Sequence, residues 1–369
     1  MKKPEVYIDA RMVEVVPHGI ARYVTRLASG LKRLEAEKGE LPYEPVFLVC
    51  QDFPQESFEG WSIRRVGAAF LARKELVELP RVLKGASLYH SPSFSSLFSF
   101  GPFKVPCPWV VTIHDLNHLS FGSRPQKIYY NWLLKPFAKK AAQVVTVSDF
   151  SRREIAQWMG IAADEIEIAY NALDAQSIDP PSDEQCREIL SRYQLLSGKY
   201  LLCLSNAKPH KNIPFLVEAY REAQKIFKLD WPLVLSMGEF SGVPGVRAVG
   251  GLSDTDVRAL RAHAGAVVFP SLYEGFGLPP VEAVVTRTPL IVSAIPPHQE
   301  GLAELAPEEA AWIYPKDRRS LVEALVKAWQ GRIAKPSEQA RQKTLDRFSE
   351  KELAARMDRI YRRVLDKKA

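Results

Sequence analysis

Short apolar runs of strand length alternate with amphipathic stretches of helix length along this chain, then do so a second time, and few folds accept that pattern. In the first half the runs are Val6–Asp9, Val46–Cys50, Ser87–His90, Trp109–His114, Val144–Ser148 and Ile166–Tyr170, separated by Ile20–Glu37, Ala69–Leu83, Gln126–Ala142 and Phe150–Met159. Apolar strands interleaved with helices imply a parallel sheet covered on both faces. The pattern pauses at residues 172–185, where Asp179-Pro180-Pro181-Ser182-Asp183 reads as a linker. It resumes with Tyr200–Ser205, Leu233–Met237, Val246–Gly250, Ala266–Phe269 and Leu290–Ser293, again interleaved with helices. A chain of 369 residues exceeds one typical domain. The reading is two Rossmann-like, doubly wound α/β domains, residues 1–174 and 175–348, followed by a helical stretch over 349–369. Two such sheets facing across a cleft would bind ligands at their strands' carboxyl ends, although fold alone names no reaction.

Composition narrows the class without naming it. Apolar residues are 46% and charged residues 25%, ordinary for a soluble globular protein. Cys50, Cys107, Cys186 and Cys203 show no Cys-x-x-Cys spacing, which favours buried free thiols over disulfides or metal ligands. Nothing resembles a signal peptide or an apolar run of about 18 residues, so a cytoplasmic location is expected. The net charge of +7 suits phosphate-bearing partners or an anionic membrane surface. No nucleic-acid-binding signature accompanies it.

The segment Pro270-Ser-Leu-Tyr-Glu274-Gly275-Phe276-Gly277-Leu278-Pro-Pro-Val-Glu282-Ala283 carries the most functional information. A buried strand, Ala264–Phe269, feeds a Gly-Phe-Gly loop, and Pro279-Pro280 suits the first turn of a helix. Glu282 is then expected in that first turn and Glu274 in the preceding loop, both reaching one pocket. Between them, unpaired backbone N–H groups offer a place for an anion. Two acceptors for sugar hydroxyls around a phosphate cradle suit a nucleotide-sugar site. Taken alone, Glu282 reads better as a helix-stabilising glutamate.

This segment resembles the Glu-x7-Glu signature of family 4 retaining glycosyltransferases, which have the GT-B fold, and the resemblance extends over nearly the whole chain. Leu204-Ser205-Asn206-Ala207-Lys208-Pro209-His210-Lys211-Asn212 is similar to the family's Gly-Asn-x-x-Pro-x-Lys-Asn segment, whose basic residues hold the donor diphosphate. The resemblance puts Lys211 and its partner Lys208 at the departing diphosphate, with Asn206 beside them. From the residues alone, surface lysines at a helix start remain open. Ser205 stands where many members have glycine. Val249-Gly250-Gly251-Leu252-Ser253-Asp254 matches the turn with which the family reads its nucleotide base, although an ordinary turn before a Ser253 N-cap explains it as well.

In the first half, Pro17-His18-Gly19-Ile20-Ala21-Arg22-Tyr23 resembles the family's Gly-Ile-x-Arg-Tyr segment, with Gly19 leaving room for phosphate at a helix start. A single glycine there, rather than Gly-x-Gly-x-x-Gly, argues against a dinucleotide-binding dehydrogenase. His114-Asp115-Leu116 matches the family's His-Asp-Leu motif, which places His114 at the transferred sugar and leaves Asp115 to fix local geometry. A lone histidine at a strand end would otherwise read as structural. Ser148 and Ser151 resemble the family's Ser-x-x-Ser, and helix capping explains them too. Ala172 stands where Asn-Gly is common, so that turn is expected to differ.

The resemblance implies a metal-independent enzyme that retains anomeric configuration. Glu274 would orient the donor sugar, Glu282 would hold the ribose, and Gly275, Phe276, Gly277 and Leu278 would offer backbone groups. No cofactor is expected beyond the donor, with a GDP-sugar and mannose preferred over a UDP-sugar. Asp254 and Asp256 have metal-ligand spacing, yet capping accounts for them better. The acceptor would be a glycan or glycolipid, in surface polysaccharide or lipid-linked glycan synthesis. The aromatic, serine-rich loop His90–Phe103 and the basic, aromatic stretch Lys127–Lys140 suit peripheral association with an anionic membrane. An ordinary amphipathic helix fits that stretch equally. A different GT-B reaction such as epimerisation, or a non-catalytic sugar-nucleotide or glycan-binding scaffold, stand as alternatives.

Overall fold

The computed structural model describes residues 2–13, 19–95, 104–173 and 178–367. Two compact units emerge, Met1–Ala172 with Phe348–Ala369, and Leu173–Arg347. Each has its own sheet and core.

The first unit holds seven strands: β1 (Glu5–Asp9), β2 (Glu44–Val49), β3 (Ser62–Arg65), β4 (Leu88–Ser91), β5 (Trp109–Thr112), β6 (Gln143–Thr146) and β7 (Ile166–Ile168). They pair in parallel in the order β3-β2-β1-β4-β5-β6-β7. The order reverses between β1 and β4, which defines the switch point where this architecture binds ligands. Side-chain alternation splits the core in two: Val6 and Ile8 of β1 join one cluster, while Tyr7 faces the other. β3 escapes the sequence reading because all four of its residues are exposed, so an edge strand shows no apolar run.

Its helices are α1 (Gly19–Lys38), α2 (Glu75–Val82), α3 (Asn117–Phe121), α4 (Arg124–Tyr129), α5 (Lys135–Lys139) and α6 (Asp149–Met159). The expected Ala69–Leu83 helix shortens to α2, since Leu71 takes a positive φ of 63°. Gln126–Ala142 is not one α-helix: a π turn, Tyr130–Leu134, separates α4 from α5. Pro136 lacks the N–H that Trp132's carbonyl would accept, and the ladder loosens there.

The second unit contains β8 (Leu201–Cys203), β9 (Leu233–Leu235), β10 (Val246–Ala248), β11 (Ala266–Phe269), β12 (Leu290–Ser293) and β13 (Ala310–Ile313). All pair in parallel in the order β10-β9-β8-β11-β12-β13, with the switch point between β8 and β11. β13 is another edge strand missed in the sequence. The helices are α7 (Asp183–Arg192), α8 (Ile213–Phe227), α9 (Asp254–Ala262), α10 (Leu278–Val285), α11 (Pro296–Gly301), α12 (Arg318–Trp329) and α13 (Glu338–Arg347). The linker reading of 172–185 runs too far, because Ser182 already caps α7 by accepting from Gln185 N.

The last helix, α14 (Glu350–Asp366), belongs to the first unit. Ser349 caps it, and Leu353, Met357, Ile360, Tyr361 and Val364 are buried in the cluster that contains α1. Gly30 of α1 permits this close packing, since a Cβ there would lie 2.2 Å from the Glu350 carbonyl. Among the described residues no helix is long and apolar enough to cross a membrane. All four cysteines are free thiols.

Candidate functional site

At the second unit's switch point, the loop after β8 meets the loop after β11. Asn212 has a left-handed φ of 58°, and its amide donates to the Pro270 and Pro315 carbonyls at 3.1 and 3.0 Å. Leu272 N donates to the His210 carbonyl at 2.7 Å. The two loops are thereby joined, which brings Lys211 and Glu274 together from 63 residues apart. Lys211 Nζ donates to Glu274 Oε1 at 2.7 Å, and Ser271 Oγ donates to the same oxygen at 2.7 Å. Side-chain exposure is 20% for Lys211 and 15% for Glu274, so the pair is screened from bulk water yet reachable from it.

Burial pushes the Glu274 carboxyl up, but the Lys211 ammonium and the His298 ring outweigh it and hold Glu274 below the usual carboxylate value. His298, at the start of α11, is 1% exposed, and its Nδ1 donates to the Ser293 carbonyl at 3.0 Å. Burial lowers its pKa more than Glu274 raises it, which favours the neutral ring. Among the described residues its Nε2 has no hydrogen-bond partner. Gly277 caps α10 with φ 91°, and a Cβ there would lie 2.8 Å from His298 Cδ2. Glycine is therefore required at 277 twice over, by dihedral angle and by space. Gly275 and Phe276 are buried, while Leu278 is half-buried as the first residue of α10.

Glu282 is not in the first turn of α10. It is the helix's fifth residue, and its Oε2 accepts from Arg261 Nη1 of α9 at 2.6 Å in a buried pair. The proline pair lies in the first turn of α10, as the sequence places it, directly after Leu278, the first helical residue. Lys208 and Asn206 are exposed, and Asn206 Oδ1 accepts from Lys208 N at 3.2 Å. Ser205 does not offer its N–H to the pocket: it donates to Ser236 Oγ at 2.8 Å, and Ser236 returns a bond to the Ser205 carbonyl. Gly251 takes a positive φ of 67°, Gly250 does not, and a Cβ at either would meet nothing. Leu252 is half-buried beside them. Ser253 caps α9 with Asp256, whose other oxygen pairs with Arg192 at 3.1 Å. Among the described residues no group of three or more His, Cys, Asp or Glu could hold a metal ion.

In the first unit, β5 ends at Thr112, and His114 follows on the same side. His114 Nε2 donates to the Pro92 carbonyl at 3.0 Å, Ser151 Oγ donates to the His114 carbonyl at 3.0 Å, and the Tyr23 ring meets the imidazole edge-on at 5.0 Å. Ser148 caps α6, accepting from Ser151 N. The Ser-x-x-Ser pair thus does two jobs, one of which is to hold His114. Asp115 accepts from Asn117 N at 2.9 Å, the local role expected of it. Gly19 is the first residue of α1, while Pro17, His18 and residues 96–103 of the serine-rich loop lie outside the described residues. Ala172 has no positive φ, and its carbonyl accepts from Arg26.

Residues 17–177 match the family described as Glycosyltransferase Family 4, and residues 239–347 match Glycosyl transferases group 1. The chain belongs to the family 4 glycosyltransferases. It is 31% identical to O-antigen chain mannosyltransferase B of Escherichia coli over 56% of this chain and 57% of that protein. It is 26% identical to O-antigen chain mannosyltransferase RfbU of Salmonella typhimurium over 58% and 59%. The matches span a little over half the length of these relatives. Among solved structures, Anabaena HepE in complex with UDP and glucose superposes with a TM-score of 0.73 at 14% identity, covering 97% of this chain and 99% of that one. This likeness shows the fold, two GT-B-type parallel-sheet units.

In this family 4 glycosyltransferase, sequence reasoning missed four side chains that shape the surroundings of Lys211, Glu274 and Glu282: Ser236, Arg261, Ser271 and His298. Each acts through a partner distant in sequence or through a loop whose path is set by packing. Only Ser271 carried a local signal, lying three residues before Glu274 in the same loop.

Proposed function

We propose that this protein is a retaining, metal-independent glycosyltransferase that moves mannose from GDP-mannose to a glycan or glycolipid acceptor. The observation that carries this reading is the Lys211–Glu274 pair at the second sheet's switch point. An ammonium has three N–H donors, and one is engaged with Glu274. The remaining donors are assigned to the donor diphosphate, with Lys208 beside them. Glu274, ionised and fixed by Ser271, accepts hydroxyl protons of the sugar ring. Backbone N–H groups at 275–278 and the α10 N-terminus receive phosphate oxygens. Glu282 is assigned the ribose, with Arg261 holding its carboxylate. Gly250, Gly251 and Leu252 face the base, Asn206 lies beside the phosphates, and Gly19 leaves room at the start of α1.

The anomeric carbon's bond to the diphosphate oxygen breaks while the acceptor hydroxyl attacks from the same face. The acceptor's proton passes to the departing phosphate oxygen, so no protein nucleophile is needed. Lys211 and Lys208 stabilise the charge that grows on the leaving group. His114 contacts the transferred sugar. The names of the mannosyltransferase relatives support the choice of sugar and a role in surface polysaccharide or lipid-linked glycan synthesis.

We place the enzyme in the cytoplasm, peripherally at an anionic membrane. Trp132 and Ile128 are 72% and 59% exposed, in a stretch whose exposed residues also include Arg124, Lys139 and Lys140. An apolar tip within a basic fringe suits a lipid headgroup layer.

A metal-free thermal-shift panel of GDP-, UDP-, ADP- and dTDP-sugars tests the donor. Saturation at about 100 Kd adds about 2.7 kcal/mol, enough to raise Tm by a few degrees. GDP-mannose alone should shift the melt, and transfer to an acceptor should proceed in EDTA with retained configuration by NMR. No shift with any donor, with or without Mg²⁺, would sink the proposal.

A further inference from the structure

Behind His114 runs a buried line of hydroxyls and one imidazole that the chemistry above does not use. Tyr361 of α14 lies 2.7 Å from His90 Nδ1 through its hydroxyl. His90 Nε2 lies 2.9 Å from Thr112 Oγ1, and Thr112 Oγ1 lies 3.4 Å from the Tyr23 hydroxyl. Tyr23 in turn donates to Met357 Sδ at 3.6 Å, one helical turn before Tyr361 on α14. Tyr23, His90, Thr112 and Tyr361 are each 1% exposed or less.

The proton directions follow from who has a partner. The only acceptor near the Tyr361 hydroxyl among the described residues is His90 Nδ1, so Tyr361 must donate to it. Burial and the neighbouring His114 ring lower the His90 pKa to about 3, so the ring is neutral and carries its single proton on Nε2. That N–H donates to Thr112, Thr112 donates to Tyr23, and Tyr23 donates to Met357. Every donor is used once, and the line begins and ends on α14. Its last ring, Tyr23, is the one that meets His114 edge-on.

We propose that Tyr361 is a positioning residue for His114, acting through His90, Thr112 and Tyr23. This rests on the role assigned to His114 above. His114 is already held at its Nε2 by Pro92 and at its carbonyl by Ser151, and the Tyr23 ring is its third support. Thr112 ends β5 and His114 follows two residues later, and Tyr23 touches both. A ring anchored only by packing could rotate against His114. The hydroxyl line fixes it, and with it the angle at which the imidazole is presented.

The test uses Tyr361→Phe and Thr112→Val, each of which removes a hydroxyl while nearly preserving shape. Transfer kinetics, Kd for the bare nucleoside diphosphate, Tm and the imidazole NMR titration of ¹⁵N-histidine-labelled protein are measured on the full chain. The expected result is kcat down by about tenfold, donor KM and nucleotide Kd within about twofold, and a shifted His114 titration. A merely structural line would lower Tm and leave the kcat-to-KM split and the His114 titration unmoved, which would overturn the proposal. Failure of both variants to fold would overturn it as well. If the wild type transfers no sugar from any donor, the functional reading falls, and the His114 titration still decides whether Tyr361 orients that ring.

Discussion

The two units prepare their functional side chains by opposite means. In the second, a charged pair, Lys211 and Glu274, is kept partly open to solvent and steadied by Ser271. In the first, His114 is backed by an uncharged line of Tyr361, His90, Thr112 and Tyr23 sealed from water. The contrast teaches where each device fits. An anion site must keep charge that a ligand can reach, so its members stay near the surface and answer to salt. A positioning line needs direction rather than charge, and burial sharpens it because unpaired hydrogen-bonding groups there are costly.

The largest break falls on the charged side. Lys211→Ala or Glu274→Ala should lower turnover by about 10²-fold or more in a transfer assay, the scale of losing a preorganised stabiliser. Near-normal turnover in either variant would remove that residue from the chemistry. Next comes Gly277→Ala, which combines a left-handed φ with a collision against His298 and should cost about 1–3 kcal/mol in denaturant melts. Adding His298→Ala should return the collision part and leave the dihedral part, a double-mutant cycle that separates the two.

Acid acts on both units in the same direction, through groups with different pH windows. His90 and His298 are both held below the ordinary histidine value, His90 at about 3. Between the folded value and about 6.5, such a group binds fewer protons folded than unfolded, so stability rises with pH and is lost on acidification. Bringing the protein from pH 7 to 5 should remove about 2 kcal/mol through His90 alone. His90→Gln should flatten the Tm-against-pH slope even though its baseline is lower. Glu274 has the same sign in a lower window: its contribution is present above the unfolded value of about 4.5 and is lost only as pH falls through its depressed folded value, so it is silent from pH 8 to 5. The smallest effect is Gly250→Ala, with open space and no positive φ, expected within about 0.5 kcal/mol. A larger loss would mean that this turn is tighter than its backbone indicates.

Much of the architecture was legible in the residues. Core strands such as Val6–Asp9 and Ala266–Phe269 announce themselves because both faces are buried. The edge strands Ser62–Arg65 and Ala310–Ile313 do not: the first is exposed and mostly polar, and the second is a four-residue run with two alanines, too short and too weak in strand preference to stand out. The caps at Ser148 and Ser253 were readable because a cap bonds within three residues. The same short range explains a miss: nothing near Glu282 announced Arg261, 21 residues back on another helix.

The sequence by itself determined the two rounds of strand and helix, the loops at strand ends where Lys211, Glu274 and His114 sit, and the local capping that starts α6 and α9. These are decided within a few residues, by side-chain period and backbone preference. Only the tertiary structure decided that Lys211 would pair with Glu274, that Glu282 would face Arg261, and that Tyr361 would reach His90 across 271 residues. Such pairings depend on which strand ends and helix faces packing brings together, and no local pattern encodes that.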